Sequence, residues 1–312
     1  MTAAPDIVAL TGASGLIGSA LRAALAQAGH PVLSLVRRTP GGPDEAEWSP
    51  ERGVIQPQRL EGIAALVHLA GENIAAGRWS RRRMDAIRRS RIDATLALVD
   101  SLSPLRTSPT AFLCASAVGI YGDRGADWLT EQSEPGRGFL PDVCQAWEAA
   151  ARTAREKLGA RVVHLRFGVV LAATGGMLAR LLLPFRLGLG GPVGSGRQYL
   201  SWISLADVVG AVQHTLRDER IAGPVNVVSP TPVTNREFAR TLGRILHRPA
   251  VLRVPATLLR LVLGRLADEA LLASSRVRPA VLLDTGYAFR HPQLEGALRA
   301  LLAHRLANGE GA

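Results

Sequence analysis

TGASGLIG, residues 11–18, follows the apolar run IVAL at 7–10 and precedes a helix-like stretch at 19–27. A second apolar run, VLSLV, comes at 32–36. Strand, glycine turn, helix and strand in this order predict a βαβ unit. Gly12 suits a tight turn, Gly15 leaves room for a pyrophosphate against the backbone, and Gly18 lets helix and strand pack closely. The helix start adds free N–H groups and the positive end of its dipole. An ordinary glycine turn is the alternative. The dinucleotide reading places Gly12, Ser14, Gly15, Leu16, Ile17 and Gly18 against the ligand.

The second strand runs into Arg37 and Arg38, where an acid would usually hold the ribose 2′-hydroxyl of NAD, and the next carboxylate is Asp44. The pair favours NADP(H) as cofactor, unless it is only a solvated strand end. Further apolar runs at 65–69, 111–116 and 161–165 alternate with helical patterns. That alternation predicts an α/β protein with a Rossmann-type, doubly wound parallel sheet. The rhythm loosens after Pro230, where helices are expected over 255–263 and 269–274. Residues 1–171 and 205–228 are expected to form the dinucleotide domain, 172–204 and 229–300 a smaller C-terminal substrate lobe, and 301–312 a tail. Ser204 with Asp207, and Thr234 with Glu237, are spaced as helix-capping boxes.

The 312 residues carry a formal charge of +11, concentrated in RWSRRRMDAIRRSR at 78–91. Nucleic acid is not the expected partner. The chain has one lysine, Lys157, so its basicity is an arginine bias. Met84, Ile87, Ala94 and Leu98 recur at helical spacing over 80–100, which leaves most of the arginines on a solvated face. No membrane span is expected, because the apolar stretches at 180–189 and 258–272 are interrupted by arginines. Residues 1–7 lack the regions of a signal peptide, and a cytoplasmic location is expected. Cys114 and Cys144 have no zinc-ligand spacing, so no metal is expected and both thiols are read as reduced. A monomer or a homodimer is expected.

Several further motifs carry a family resemblance. HLAG at 68–71, ASAVGIYG at 115–122, GSGRQYLSWISLADV at 194–208 and GPVNVVSP at 223–230 join TGASGLIG in resembling the extended short-chain dehydrogenase/reductase superfamily. More narrowly, GEN at 71–73, RW at 78–79, SRIDAT at 90–95, VCQAWEAAA at 143–151, GVVL at 168–171, LPFRLGLGG at 183–191 and LLASSRVRPAVLLDTGYAF at 271–289 resemble an atypical branch called "epimerase family protein". That branch ends in a small domain of unknown function.

The resemblance implies chemistry through a Tyr-x-x-x-Lys pair, in which lysine lowers the tyrosine pKa so that the phenol can move a proton. This chain has no such pair. Its tyrosines, Tyr121, Tyr199 and Tyr287, are followed four residues later by Gly125, Ile203 and His291. By one alignment Leu140 and Cys144 stand in the two places. Ser116 matches the superfamily's catalytic serine, and Arg91 falls where an asparagine is common. Ser116, Tyr121 and Cys144 are the catalytic candidates; Glu148 is a general acid if buried, with a surface carboxylate the favoured reading. Tyr121 is otherwise a packed loop residue and Cys144 a small core residue. By resemblance Leu69, Ala70, Gly71, Glu72, Arg78 and Val169 line the cofactor. Arg166 either binds phosphate or pairs with an acid, and Asn226 closes a turn or satisfies backbone groups. The expected activity is that of an oxidoreductase or epimerase on a small carbonyl or sugar-like substrate; the alternative is a sensor that binds NADPH without chemistry.

Overall fold

The computed structural model describes residues 7–307. The chain enters as β1 (Val8–Thr11), crosses through α1 (Leu16–Gln27) to β2 (Val32–Val36), adds β3 (Glu45–Ser49) and β4 (Gly53–Val54), and returns as β5 (Ala65–His68). Helices α2 (Arg81–Arg89) and α3 (Ile92–Leu102) lead to β6 (Ala111–Ala117); the short β7 (Trp128–Leu129) and the long α4 (Phe139–Leu158) lead to β8 (Arg161–Phe167). Then come β9 (Val169–Leu171), α5 (Gly176–Arg186), β10 (Tyr199–Leu200), β11 (Trp202–Ser204), α6 (Leu205–Arg217) and β12 (Gly223–Val227). The last elements are β13 (Val233–Thr234), α7 (Asn235–Ile245), α8 (Ala256–Leu263), β14 (Arg276–Val277), α9 (Ala280–Asp284) and α10 (Leu294–Ala307).

Eight strands form one sheet in the order β12-β8-β6-β5-β1-β2-β3-β4, parallel except for the β3–β4 edge. Strand order reverses between β1 and β5, where Val8 to Thr11 lie opposite Ala65 to His68. A doubly wound sheet opens a crevice at the carboxyl ends of the strands at such a reversal. The central strands are buried on both faces, which is why they read as mostly apolar runs. One face packs on α3 and α4 through Leu66, Leu98, Phe112 and Ala151; the other packs on α1 and α6 through Leu10, Leu21, Leu113 and Val208. A separate core joins α5, α7 and α10 around Trp202, Phe185, Leu242 and Leu298. Leu98 is fully buried, so truncating it to alanine should cost about 2–5 kcal/mol.

The structure corrects three local expectations. EAEWS at 45–49 is a strand that the sequence reading passed over; Ala46 and Trp48 face inward and the two glutamates do not. The helix expected over 80–100 is two helices, broken at Ser90 and Arg91. The helical turn expected over 269–274 is a wide π-helical turn at Ala267–Leu272. The capping boxes are present: Ser204 accepts from the Asp207 amide, and Thr234 from the Glu237 amide.

Candidate functional site

Two cavities meet at the strand-order reversal. One, of about 640 Å³, lies over β2 and is lined by Gly12 to Gly15, Ser34, Arg37, Arg38 and Glu45; the other, of about 620 Å³, runs from Leu16 and Gly18 past Ser116, Cys144 and Val169. Both contain Gly12, Gly15, Leu69, Gly71 and Glu72, so they are halves of one cleft. The glycine turn behaves as its residue types require. Gly12 has φ +70°, and a β-carbon there would press on the Leu69 backbone at 3.0 Å. Gly15 is the N-cap of α1, and its backbone opens the helix toward the cleft. A β-carbon on Gly18 would collide with the Gly12 carbonyl, which confirms close packing of the helix on the turn.

The facing turn is fixed from below. Thr11 Oγ1 accepts from the Leu69 and Ala70 amides, each at 3.1 Å, so its single proton goes to His68 Nδ1 at 2.8 Å. His68 therefore carries its proton on Nε2. Burial holds its pKa down to about 3, and the ring is a neutral strut between Trp48 and Phe112.

At the far end of the first half, Arg37 lines the cavity with no carboxylate partner among the described residues. Arg38 does have one. Its two terminal nitrogens donate to Glu45 at 2.8 and 2.6 Å, while the Gly41 amide donates to the same carboxylate at 2.6 Å. The Arg38 hydrogen bond and then the Gly41 amide hold Glu45 below the ordinary carboxylate range. Two further residues here carry no sequence motif: Arg22, on α1, and Ser34, a buried β2 serine whose Oγ has no hydrogen-bond partner among the described residues. Their signal is spacing alone. Arg22 lies two turns into α1, and Ser34 is the polar member of VLSLV.

The second half holds Ser116, Cys144, Leu16, Ile17, Val169 and the neighbouring backbone. Ser116 ends β6, and its hydroxyl donates to Glu148 Oε1 on α4 at 2.8 Å. Glu148 is gripped by Arg166 of β8, Nε to Oε1 at 2.8 Å and Nη2 to Oε2 at 2.9 Å. Burial alone would raise the Glu148 carboxyl, but these bonds outweigh it and leave the group below the ordinary range. Glu148 is thus buried, which corrects the expected surface carboxylate, and it is an ionised acceptor rather than a general acid. Arg166 pairs with an acid, as one of the two expectations held.

Tyr121 is also corrected as a catalytic candidate. It is fully buried in the turn after β6; its hydroxyl donates to Asn226 Oδ1 at 2.7 Å and accepts from Arg166 Nη1 at 2.9 Å. Asn226 in turn donates to the Arg278 carbonyl, and its amide donates to Glu131. These groups tie β12, β8 and the loops together behind the cleft. Cys144 does line the cleft, yet burial pushes its thiol up to about 11, with Arg91 opposing only in part. It is a neutral thiol near pH 7.

Arg91 occupies the break between α2 and α3. Its Nη1 donates to the Ile87 carbonyl and Ser90 Oγ, its Nη2 to the Glu72 carbonyl at 3.1 Å, and the guanidinium lies 5.0 Å from the Trp147 ring centroid. Glu72 pairs with Arg83 at 2.7 Å rather than with Arg78. Arg78 is an exposed residue packed toward Gly264, outside both halves of the cleft, which corrects its expected place. Tyr199 lines the second half, with Arg276 stacked 4.7 Å from its ring. No group of three or more potential metal ligands occurs among the described residues, and no described helix is long and apolar enough to cross a membrane.

This arrangement has counterparts. The family model for "NAD dependent epimerase/dehydratase family" matches residues 8–228, and that for "Domain of unknown function (DUF1731)" matches 254–301. "Epimerase family protein Mb2239" of Mycobacterium bovis is 44% identical over 292 residues, covering 94% of this chain and 96% of that protein. The crystal structure of human epimerase family protein SDR39U1 (isoform 2) with NADPH superposes with a TM-score of 0.87 at 34% identity, covering 95% of this chain and 99% of that one. A structure named as the nucleoside-diphosphate sugar epimerase from Corynebacterium glutamicum matches with a TM-score of 0.78 at 36% identity, over 96% of this chain and 59% of that one. The glycine turn, the doubly wound sheet and these matches agree: the chain belongs to the NAD dependent epimerase/dehydratase family.

Proposed function

We propose that this chain is an NADP(H)-binding oxidoreductase or epimerase acting on a small carbonyl or sugar-like substrate. The observation that carries the reading is the continuity of the cleft: one half ends in cations and the other in Ser116, with the glycine turn between them. The pyrophosphate belongs at Gly12 to Gly18, where a β-carbon would fill the space and the α1 amides point outward. The 2′-phosphate belongs at Arg37, with Arg22 near and the free Ser34 hydroxyl as a further donor. Glu45 is a poor acceptor for ribose hydroxyls in place of that phosphate, because Arg38 and the Gly41 amide already take three of its four acceptor sites. The NADPH in the human SDR39U1 structure supports the same preference.

When bound, the nicotinamide ring supplies or takes a hydride. Ser116, held by Glu148, would face that ring's half of the cleft, with Val169 and Ile17 on the same walls. Residues 229–300 form most of the substrate lobe, to which Ala270, Ala273 and Ser275 contribute cleft wall.

A second reading is a sensor that binds NADPH and reacts with nothing. It is favoured by Leu140 and the neutral Cys144 in the cleft, where neither can act as an acid near pH 7. Fluorescence titration with NADPH and NADH tests the cofactor, and NADPH oxidation with a panel of aldehydes and ketones tests the chemistry. NADPH binding without turnover of any carbonyl or alcohol selects the sensor. Equal affinity for both nucleotides overturns the NADP(H) assignment.

A further inference from the structure

The substrate half of the cleft is lined by three charged side chains, Glu72, Arg91 and Glu269. Glu72 is paired with Arg83 at 2.7 Å and Glu269 with Arg265 at 2.9 Å. Arg91 has no carboxylate within 4.0 Å among the described residues. Two carbonyls, one hydroxyl and an indole face hold its guanidinium in place without neutralising it. A cation kept in a partly desolvated place without a counter-ion costs free energy, and an anion that enters relieves the cost. Ile74, Val118, Leu140, Val143 and Met177 form an apolar stretch of the walls, while Asn73, Tyr199, Ser201 and Ser275 add uncharged polar groups. One cation matches one negative charge. A nucleoside diphosphate brings at least two, and this half of the cleft offers no second cation among the described residues.

Ser116 adds the second half of the argument. A serine hydroxyl has one proton and two lone pairs. Glu148 is ionised and accepts only, so the Ser116 proton is committed to it at 2.8 Å. Toward the cleft Ser116 offers lone pairs, and its partner there must donate. A ketone cannot do so, whereas an alcohol can.

We propose, resting on the oxidoreductase reading above, that the cleft receives a small hydroxy acid with an apolar tail. Its carboxylate sits on Arg91, its hydroxyl donates to Ser116 Oγ, and its tail lies against Ile74, Val143 and Met177.

The test is calorimetric titration of 3-hydroxyhexanoate, hexanoate, hexan-1-ol and UDP-glucose into the full chain, each with and without NADP+. Affinity should fall in the order hydroxy acid, acid, alcohol, with UDP-glucose weaker than either acid. Arg91→Met should weaken both acids by about 10- to 100-fold, the usual worth of one charge-assisted bond, while NADPH affinity stays within about twofold. Arg91→Lys keeps the charge and should recover most of the loss, which separates recognition from folding. Ser116→Ala should bring the hydroxy acid down to the level of hexanoate. Equal binding of acid and alcohol overturns the proposal, as does UDP-glucose binding more tightly than the acids. A fall in NADPH affinity as large as the fall in acid affinity would assign Arg91 to the cofactor and also overturn it. Failure of the parent protein to bind NADP+ would instead remove the cofactor reading, and the titrations without nucleotide would still decide the role of Arg91.

Discussion

Replacing Arg37 by alanine should separate the two nicotinamide nucleotides. The side chain is exposed at the end of β2, lines the cavity and has no carboxylate partner, so it can meet a 2′-phosphate without breaking an ion pair. A hydrogen bond to a charged group is worth about 1.5–3 kcal/mol, and every 1.4 kcal/mol is tenfold in affinity. Arg37→Ala should therefore weaken NADPH by about 10- to 100-fold and leave NADH within about twofold. Arg38 starts from a different state, because Glu45 holds it at 2.6 and 2.8 Å. Leaving an exposed ion pair costs up to about 1 kcal/mol, so Arg38→Ala should cost NADPH less than Arg37→Ala does. Glu45→Gln releases Arg38 and should tighten NADPH by a few-fold. The assay is fluorescence titration of the reduced nucleotides, repeated at low and high salt, since an exposed phosphate contact is screened over about 10 Å at 0.1 M. Equal losses for NADPH and NADH in Arg37→Ala, or no loss in either, would refute the placement of the phosphate.

Gly12→Val and Gly15→Val should remain folded by circular dichroism yet lose NADPH binding, since both changes fill the turn that the pyrophosphate needs; normal binding by either would misplace the phosphate loop. Ser116→Ala should slow turnover by about 10- to 100-fold with NADPH affinity nearly intact, and Cys144→Ala by less than about tenfold; the reverse order would move the chemistry to Cys144. Glu148→Ala leaves Arg166 charged and buried without its partner, and should destabilise the fold by about 3–5 kcal/mol in urea unfolding; replacing both by methionine should recover much of that. Stability should fall as pH is lowered from 6.5 toward 4, because the unfolded chain binds protons that His68, held near 3, and His164, held near 4, refuse when folded. Each contributes up to about 1.4 kcal/mol per pH unit, and His68→Phe should flatten the slope; an unchanged slope would show that His68 is already protonated in the folded state.

The fold was legible wherever one element carries its own signal. Residues 8–36 fix a strand, turn, helix and strand through apolar runs and three glycines, all local. The runs at 65–69, 111–116 and 161–165 are central strands because burial on both faces leaves few polar positions, His68, Ser116 and His164 among them. EAEWS gave no such run, since β3 keeps one half-exposed face with Glu45 and Glu47 on it. The break between α2 and α3 was hidden for a different reason. Ser90 accepts from the Glu72 amide and donates to the Ile87 carbonyl, and Arg91 turns in toward the Glu72 loop, so the interruption is made by a segment about twenty residues away.

The site divides along the same line. The glycine turn, Arg37 and Val169 could be read because each sits inside a contiguous motif, and Ser116 because it ends a strand. What those residues do chemically depends on partners far along the chain. Ser116 alone reads as a donor to a substrate oxygen; with Glu148 thirty-two residues away taking its proton, it becomes an acceptor. Tyr121 alone reads as a phenol at a strand end, but Asn226, 105 residues on, turns it into a buried strut. Arg91 alone reads as one arginine among many on a basic helix, whereas the helix break makes it the uncompensated cation of the substrate half, among the described residues. Residue type and local spacing set which atoms are present, and the direction of each proton is set by tertiary contacts. For this chain that direction matters most: with Glu148 ionised and Tyr121 withdrawn, the polarity of the cleft runs from a fixed cation at Arg91 to an acceptor at Ser116, and a ligand must present an anion to the first and a donor to the second.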